Sequence, residues 1–291
     1  MKGGIIINPF GVPGACVHQA NRVKEEFDKL NINCDIITDG YLRCLLENDK
    51  LKSDLVDYDF LVFFDKDKYL SASLTKLGVR LFNKHDAIRL CDDKAETYIA
   101  LCDSGIKMPK TVFGALCYKQ ECNYSEKTID TLIEKLGLPM VVKQSFGSMG
   151  SGVSLAKTKT ELLEIIDKVK VKPHFFQEYL DKKVGTDIRV IVIGGKAVAY
   201  MQRSNPDDFR SNIAIGGQGD KIELSEEFIN TAEKCAKILG LDYCGVDLLY
   251  GNEGEPVVCE VNSNAFMEGI ERTTGVNVAG AYAKHIVETV R

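Results

Sequence analysis

The sequence predicts a mixed α/β and α+β fold, with a parallel-sheet unit first and a body of antiparallel strands and helices after it. Three observations predict it. Over residues 1–84, short apolar runs alternate with amphipathic stretches of helical length, the pattern of strands joined by crossover helices. Beyond them, apolar runs are separated by glycine turns, the pattern of hairpins. The composition, 45% hydrophobic and 27% charged over 291 residues, is near the globular average and excludes a disordered or collagen-like chain.

Residues 3–8 read as the first strand, 15–30 as a helix, 34–38 as a strand and 41–47 as a short helix. Residues 59–65 read as a strand, 70–77 as a helix and 80–83 as a fourth strand, together a small Rossmann-like unit. The turn at residues 8–14 carries two prolines, which remove backbone donors, and lacks Gly-x-Gly-x-x-Gly. It reads as a turn before a helix rather than a dinucleotide site. One longer helix is expected over residues 85–103, stopped at Ser104 and Gly105. A strand at 108–115, a helix at 125–136, the run PMVVKQS, a glycine loop, GVSLAK, a helix at 160–169 and HFFQEYL follow. Residues 187–203 read as a hairpin turning at Gly194 and Gly195, 221–224 as a short strand and 226–239 as a helix. A second hairpin covers 244–262, and a helix at 278–290 closes the chain. The expected division is 1–84, 85–176 and 177–291.

No apolar run reaches the ~20 residues of a membrane span, and the first apolar stretch is too short for a signal peptide. The balance of 37 basic and 42 acidic side chains, net −5, argues against broad nucleic-acid binding. The 10 cysteines include no Cys-x-x-Cys pair, and Cys34, Cys244 and Cys259 sit in strand-like apolar runs as small hydrophobes. These features predict a cytoplasmic protein with neither membrane nor nucleic-acid partner.

Four constellations carry chemistry. Lys143 precedes a loop containing Ser145, Gly147, Ser148, Gly150 and Gly152. Bare backbone N–H groups beside a lysine suit phosphates, and a plain flexible hairpin loop is the alternative. Asp247, Glu260 and Asn262 fall on one face of the second hairpin by the strand period of two, with Val258 expected opposite Asp247. Two carboxylates and an amide oxygen suit Mg²⁺ shared with substrate phosphates; a solvated sheet face is the alternative. Arg189, Arg203 and Arg210, the last followed by Ser211 and Asn212, suit anions through the planar guanidinium fork, or are surface arginines. Gln177, Glu178 and Tyr179 end an apolar strand whose backbone edge suits a planar base. The histidines, His18, His85, His174 and His285, are scattered and receive no catalytic role.

Taken in order, these segments resemble an ATP-grasp ligase, most closely the RimK-type branch, which includes glutamate ligases that modify ribosomal protein. The matching motifs are CDDKAET at 91–97, PMVVK at 139–143 with its glycine loop, and QEY at 177–179. GTDIR at 185–189, DFRSN at 208–212, GVD at 245–247, EVN at 260–262 and EGIE at 268–271 continue the match. The resemblance covers residues 80–291; the first 80 fit only as a generic pre-ATP-grasp unit. It implies an ATP-grasp fold behind an N-terminal Rossmann-like domain. It implies that Lys94 and Lys143 contact ATP phosphates under the loop 145–152, that Gln177, Glu178 and Tyr179 line the adenine pocket, and that Asp187 lies near the ribose. Arg210 and Asn212 would reach the phosphates, and Asp247, Glu260 and Asn262 would hold two Mg²⁺, or Mn²⁺. Arg189 and Arg203 would stabilise the transferred phosphoryl group and orient a carboxylate.

The implied reaction activates a carboxylate as an acyl phosphate and joins it to an amine. The amino acid would be of the glutamate type, and the acceptor a small molecule, a peptide or a protein; a homo-oligomer is also implied. The sequence departs from related ligases after Asn262, where Ser263, Asn264, Ala265, Phe266 and Met267 replace a Pro/Gly-containing stretch and are expected to make the substrate pocket more apolar. A non-catalytic nucleotide-binding regulatory protein of the same fold is the competing reading. The complete set of Asp247, Glu260 and Asn262 with Lys94 and Lys143 speaks against it.

Overall fold

The computed structural model describes residues 1–11, 13–211 and 216–291. The chain opens with β1 (Lys2–Ile7), α1 (Pro13–Lys29) and β2 (Asn33–Ile37). A 3-10 turn at Gly40–Leu42 leads into β3 (Cys44–Glu47) and β4 (Lys50–Ser53), then β5 (Phe60–Phe64), α2 (Lys68–Lys76) and β6 (Leu81–Phe82). Strands β1, β2, β5 and β6 form a parallel sheet in the order β2-β1-β5-β6. The run FLVFF of β5 is buried along its whole length, as a strand covered on both faces must be.

Next come α3 (His85–Asp92), α4 (Lys94–Leu101), β7 (Thr111–Phe113), α5 (Glu126–Leu136), β8 (Met140–Gln144), β9 (Val153–Ala156), α6 (Lys159–Val169) and β10 (His174–Glu178). Their strands form an antiparallel sheet in the order β7-β10-β8-β9, with a core of its own around Ile129, Leu132, Val142, Leu162 and Phe176. The last part contains β11 (Thr186–Ile193), β12 (Lys196–Ser204), β13 (Gln218–Asp220), α7 (Glu226–Leu239), β14 (Tyr243–Tyr250), β15 (Pro256–Asn262), α8 (Glu268–Thr274) and α9 (Val278–Val290). Its sheet runs β13-β12-β11-β14-β15, antiparallel throughout.

The first and third sheets share one core. Ile5, Phe27 and Phe60 pack in the same cluster as Ile191, Tyr243 and Tyr282. Burying a Phe side chain contributes about 1.5–3 kcal/mol, so this seam is a strong one. It is reinforced where Arg22 of α1 meets Glu271 of α8 at 3.3 Å. The second sheet contributes nothing to that cluster and closes over the third from the other side of a cleft.

Several elements differ from expectation. Residues 44–47 are a strand, not part of a short helix, because Asn48 and Asp49 take positive φ and make a two-residue hairpin turn pairing Glu47 with Lys50. The helix expected over 85–103 is two helices. Asp93 breaks it and caps the second, its carboxylate accepting from the Ala95 and Glu96 amides. The strand expected at 221–224 is instead Gln218–Asp220, and α8 was not anticipated. In the second hairpin Asp247 lies opposite Glu260, not Val258, because a bulge after Asp247 leaves Cys259 without a partner across the strand. The shift keeps Asp247, Glu260 and Asn262 on one face.

Candidate active site

The cleft between the second and third sheets is lined by residues from several elements. Lys94 opens α4, where the Asp93 cap fixes its backbone, and the lysine is only 6% exposed. Lys143 comes from β8 and is 7% exposed. Gln177 and Glu178 end β10, Tyr179 follows it, and Asp187 is the second residue of β11. Arg210, Ser148 and Gly150 close the top, and Glu260 lies on the floor.

The glycine loop is engaged by its own cations. Lys94 Nζ donates to the Gly147 carbonyl at 2.6 Å and lies 3.2 Å from Glu260 Oε1. Arg210 donates to the Gly150 carbonyl at 2.9 Å. The free space left in the cleft is about 110 Å³, well below the ~300–1,000 Å³ of ordinary ligand pockets. Ser145 is buried beneath the loop, its carbonyl accepting from the Lys94 amide at 2.9 Å and its amide donating to Pro173. Gly152 anchors the loop's far end by accepting from the Gln144 amide.

At the cleft's end, Gln177 is buried and donates to the Thr111 hydroxyl at 2.9 Å, while the Glu178 carboxylate accepts from the Lys110 amide at 2.8 Å. The Tyr179 ring stacks edge-on to Phe209. These three contacts hold β10 and its exit in one conformation.

Below the cleft lies a four-member charge network. Cross-strand register sets Arg189 opposite Asp247 and Asp187 opposite Arg203. Arg189 makes two hydrogen bonds to the Asp247 carboxylate, at 2.7 and 2.6 Å. Arg203 grips Asp187 in the same two-point manner and reaches Asp247 Oδ2 at 3.0 Å. Asn262 Nδ2 lies 3.5 Å from that same oxygen. Burial alone would raise the Asp247 pKa, but the two guanidiniums outweigh it and hold the carboxyl below its ordinary range. Burial likewise works against the Arg203 cation, and Asp247 and Asp187 more than offset it. Lys143 is pulled down by burial and raised further by Cys259, Tyr98 and Glu260 around it. Since burial pushes the Cys259 thiol and the Tyr98 phenol up, both are neutral near pH 7, and Glu260 is the anion that matters.

The structure thus brings Lys94, Lys143, Ser148, Gly150, Gln177, Glu178, Tyr179, Asp187, Arg210 and Glu260 to one cavity. Arg189, Arg203, Asp247 and Asn262 form the layer beneath it. Asn212 lies outside the described residues. Met267, expected to border a substrate pocket, is fully buried in the shared core, and Phe266 packs against that core. Sequence reasoning missed Cys259, Val141, Val153 and Lys183, which also line the cavity. The strand period on β8 would have found Val141 two residues before Lys143; the bulge that turns Cys259 inward has no sequence signal.

Among the described residues, no group of three or more His, Cys, Asp or Glu side chains could hold a metal. Asp247, Glu260 and Asn262 supply hard oxygens and fit an ion that completes its shell with phosphate and water, as Mg²⁺ does.

A phosphate-type loop hinged over an antiparallel sheet, facing an acidic strand pair, defines a nucleotide-grasping fold. Known structures agree. A D-alanine–D-alanine ligase from Bacillus anthracis complexed with ATP superposes with TM-score 0.75 at 20% identity, over 100% of this chain and 97% of that one. The ATP-grasp ligase PsnB, complexed with a phosphomimetic variant of its minimal precursor, Mg and ADP, superposes with TM-score 0.70 at 16% identity, over 99% and 98% of the two chains. The RimK-like ATP-grasp domain matches residues 91–286, and the chain belongs to that family of ligases. It is 39% identical over 213 residues to the "Probable alpha-L-glutamate ligase" of Maridesulfovibrio salexigens, covering 72% of this chain and 68% of that protein. It is 36% identical over 225 residues to "Beta-citrylglutamate synthase B" of Danio rerio, covering 77% of this chain but 54% of that protein, about half its length. No described helix is long and apolar enough to cross a membrane.

Proposed function

We propose that the protein uses ATP to activate a carboxylate as an acyl phosphate and joins it to an amine, releasing ADP and phosphate. One observation carries the reading: Lys94, Lys143 and Arg210 arrive from separate elements around one glycine loop, with Glu260 at 3.2 Å from Lys94. Three cations around a loop rich in backbone donors suit a polyphosphate, and the acid beside them suits a divalent ion.

Lys94, Lys143, Arg210 and Asn212 hold phosphates, with the backbone of Gly147, Ser148, Gly150 and Gly152 above them, while Ser145, whose amide is already taken by Pro173, braces the loop from below. Gln177, Glu178 and Tyr179 frame the base, and Asp187 reaches the ribose edge while fixing Arg203. Asp247, Glu260 and Asn262 hold Mg²⁺, two ions in this reading, replaceable by Mn²⁺. When bound, the metal neutralises charge on the phosphates. Arg189 and Arg203 orient the carboxylate and balance the charge of the transferring phosphoryl group. The carboxylate oxygen attacks the γ-phosphorus and ADP leaves. The amine nitrogen then attacks the acyl carbon, and the C–O bond breaks to release phosphate. The loop excludes water, which would hydrolyse the acyl phosphate.

An amino acid of the glutamate type is the substrate this reading favours, supported by the glutamate-ligase name of a relative 39% identical to this chain. The acceptor is a small molecule, a peptide or a protein. A cytoplasmic location and self-association complete the reading. Phosphate release from ATP with Mg²⁺, screened across carboxylate–amine pairs with mass spectrometry of the products, tests it. A pair that stimulates release and yields an amide mass supports it. Amide formation without ATP consumption contradicts it.

A further inference from the structure

The parallel sheet runs β2-β1-β5-β6, and the chain leaves its two central strands in opposite directions. After β1, α1 packs on the face of Ile5 and Ile7; after β5, α2 packs on the face of Ile6 and Phe63. The loops leaving these neighbouring strands therefore part, and an open α/β sheet keeps its ligand crevice at that point, beyond the carboxyl ends of the strands. The residues there are Asn8, directly after β1, and Asp65, directly after β5. Asn8 Nδ2 donates to the two Asp65 oxygens at 3.3 and 3.4 Å, and the Lys66 amide donates to Oδ1 at 2.7 Å. Oδ2 is left with one long contact. Among the described residues no cation pairs with Asp65, because the Lys66 ammonium lies 3.2 Å from Asp92 instead. Burial raises the Asp65 pKa, and Asp67 and Asp92 add to the shift against the Lys66 amide and Asn8, so the half-buried carboxylate gains from a positive ligand. No group of acids among the described residues could hold a metal, which leaves an ammonium as the cation this carboxylate fits.

The crevice borders the cleft. Asp92, which holds Lys66, ends α3 two residues before Lys94, whose ammonium meets Glu260 at 3.2 Å. Phe64, next to Asp65, packs edge-on to Tyr243, whose hydroxyl donates to the Ala265 carbonyl at 2.6 Å. Gln19 of α1 donates to the Asn264 side chain at 3.0 Å. The stretch directly after Asn262 thus walls the same end of the parallel sheet. This seam also holds Gln19 Oε1 and Ser263 Oγ, buried side-chain atoms with no partner among the described residues. Native structures leave few such atoms unpaired, and two at one seam need a cause.

We propose that Asp65 binds the ammonium group of the amine substrate, and that Asn8 positions its carboxylate. The proposal rests on the ligase reading given above, with an amino acid of the glutamate type as the amine. It gives the N-terminal unit a part in choosing the substrate: an amino acid is held at the strand tips, and the same molecule without its amino group is not.

The test is calorimetric titration of the intact chain, loaded with ADP and Mg²⁺, with L-glutamate and with glutarate, the same dicarboxylate without its amino group. Wild type should bind glutamate roughly ten- to a hundredfold more tightly than glutarate, the worth of a charge-assisted hydrogen bond. Asp65→Asn should bring the two affinities within about threefold of each other by weakening glutamate and not glutarate. Asn8→Ala, which removes the donor that aims the carboxylate, should lie between. A fold defect weakens both ligands together, so the ratio reports the ammonium contact. An Asp65→Asn variant that keeps the wild-type ratio overturns the proposal and leaves the ligase reading intact. Wild type that binds ADP without preferring glutamate to glutarate overturns the glutamate reading and the proposal with it. Wild type that does not bind ADP overturns the ligase reading on which both stand. If Asp65→Asn alone fails to bind ADP, Asp65→Ser decides on the same ratio.

Discussion

Lys94 Nζ joins the Gly147 carbonyl, at 2.6 Å, to Glu260, at 3.2 Å. One ammonium thus ties the glycine loop to the acidic strand across the cleft. With the loop in this position the cavity holds about 110 Å³ of free space, and the proposed function therefore predicts that an entering nucleotide lifts the loop and takes the lysine from its carbonyl.

Lys94→Met should remove both contacts. A hydrogen bond to a charged group is worth about 1.5–3 kcal/mol, so ATP affinity should fall roughly ten- to a hundredfold. Calorimetric titration with ATP and Mg²⁺ checks this. An unchanged affinity would place the phosphates elsewhere.

Arg203→Lys keeps the charge but loses the two-point grip on Asp187. Turnover should fall at least a hundredfold while ATP affinity changes less than about threefold, because the contact matters when charge moves and not when nucleotide binds. Steady-state kinetics beside a binding titration separates the two. The opposite pattern would make Arg203 a nucleotide-binding group.

Gly185→Ala should damage the entry to β11. Gly185 has φ +69, and an added Cβ would lie 2.2 Å from the Asn205 carbonyl oxygen and 2.6 Å from that of Asp208. Both neighbours are backbone and cannot step aside. The left-handed conformation alone costs about 1–2 kcal/mol for a residue with a Cβ, and the clash adds to it. The Tm should fall by more than about 5 °C, and nucleotide affinity with it, since Asp208 holds Arg210 at 2.7 Å. Thermal unfolding followed by circular dichroism is the check.

His174 sets one acid limit on stability. It is 3% exposed, with its ring between the Tyr124 hydroxyl at 3.0 Å and the Lys172 carbonyl at 2.7 Å. Burial lowers its pKa, although the Lys172 carbonyl partly opposes the shift. A lowered folded pKa means the unfolded chain takes up the proton first. The contribution is therefore full above the unfolded value, ~6.5, and is lost as pH falls toward the folded value. Urea unfolding at pH 7.5 and 5.5 should show wild type losing more stability than His174→Gln over that interval. Equal losses would remove His174 from the acid response.

Much of this architecture was legible in the sequence because its signals are local. The apolar runs of β1, β5 and β8, the Gly194–Gly195 hairpin turn and the acidic pair on β14 and β15 each stand in a few residues. The motifs around Lys94, Lys143 and Asp247 pointed to the family that the comparisons show. What escaped depended on backbone detail or on distant packing. Asn48 and Asp49 form a tight turn through positive φ, which a helical pattern in the flanking leucines concealed. Asp93 reads as a helix residue until its carboxylate is seen capping the next helix, though Asp93 followed by Glu96 is itself a capping signal. The burial of Met267 follows from the segment after β15 packing into the core it shares with α1 and α9, and the bulge at Cys259 is a slip of strand register; no spacing in the sequence encodes either.

The central claim is that the carboxylate becomes an acyl phosphate. The direct measurement is the fate of its oxygen. A substrate labelled with ¹⁸O in the carboxylate, turned over with ATP, Mg²⁺ and the amine, should give inorganic phosphate carrying one ¹⁸O atom. The oxygen that attacks the γ-phosphorus stays on phosphorus when the amine displaces phosphate. Unlabelled phosphate beside a full yield of amide would contradict the account.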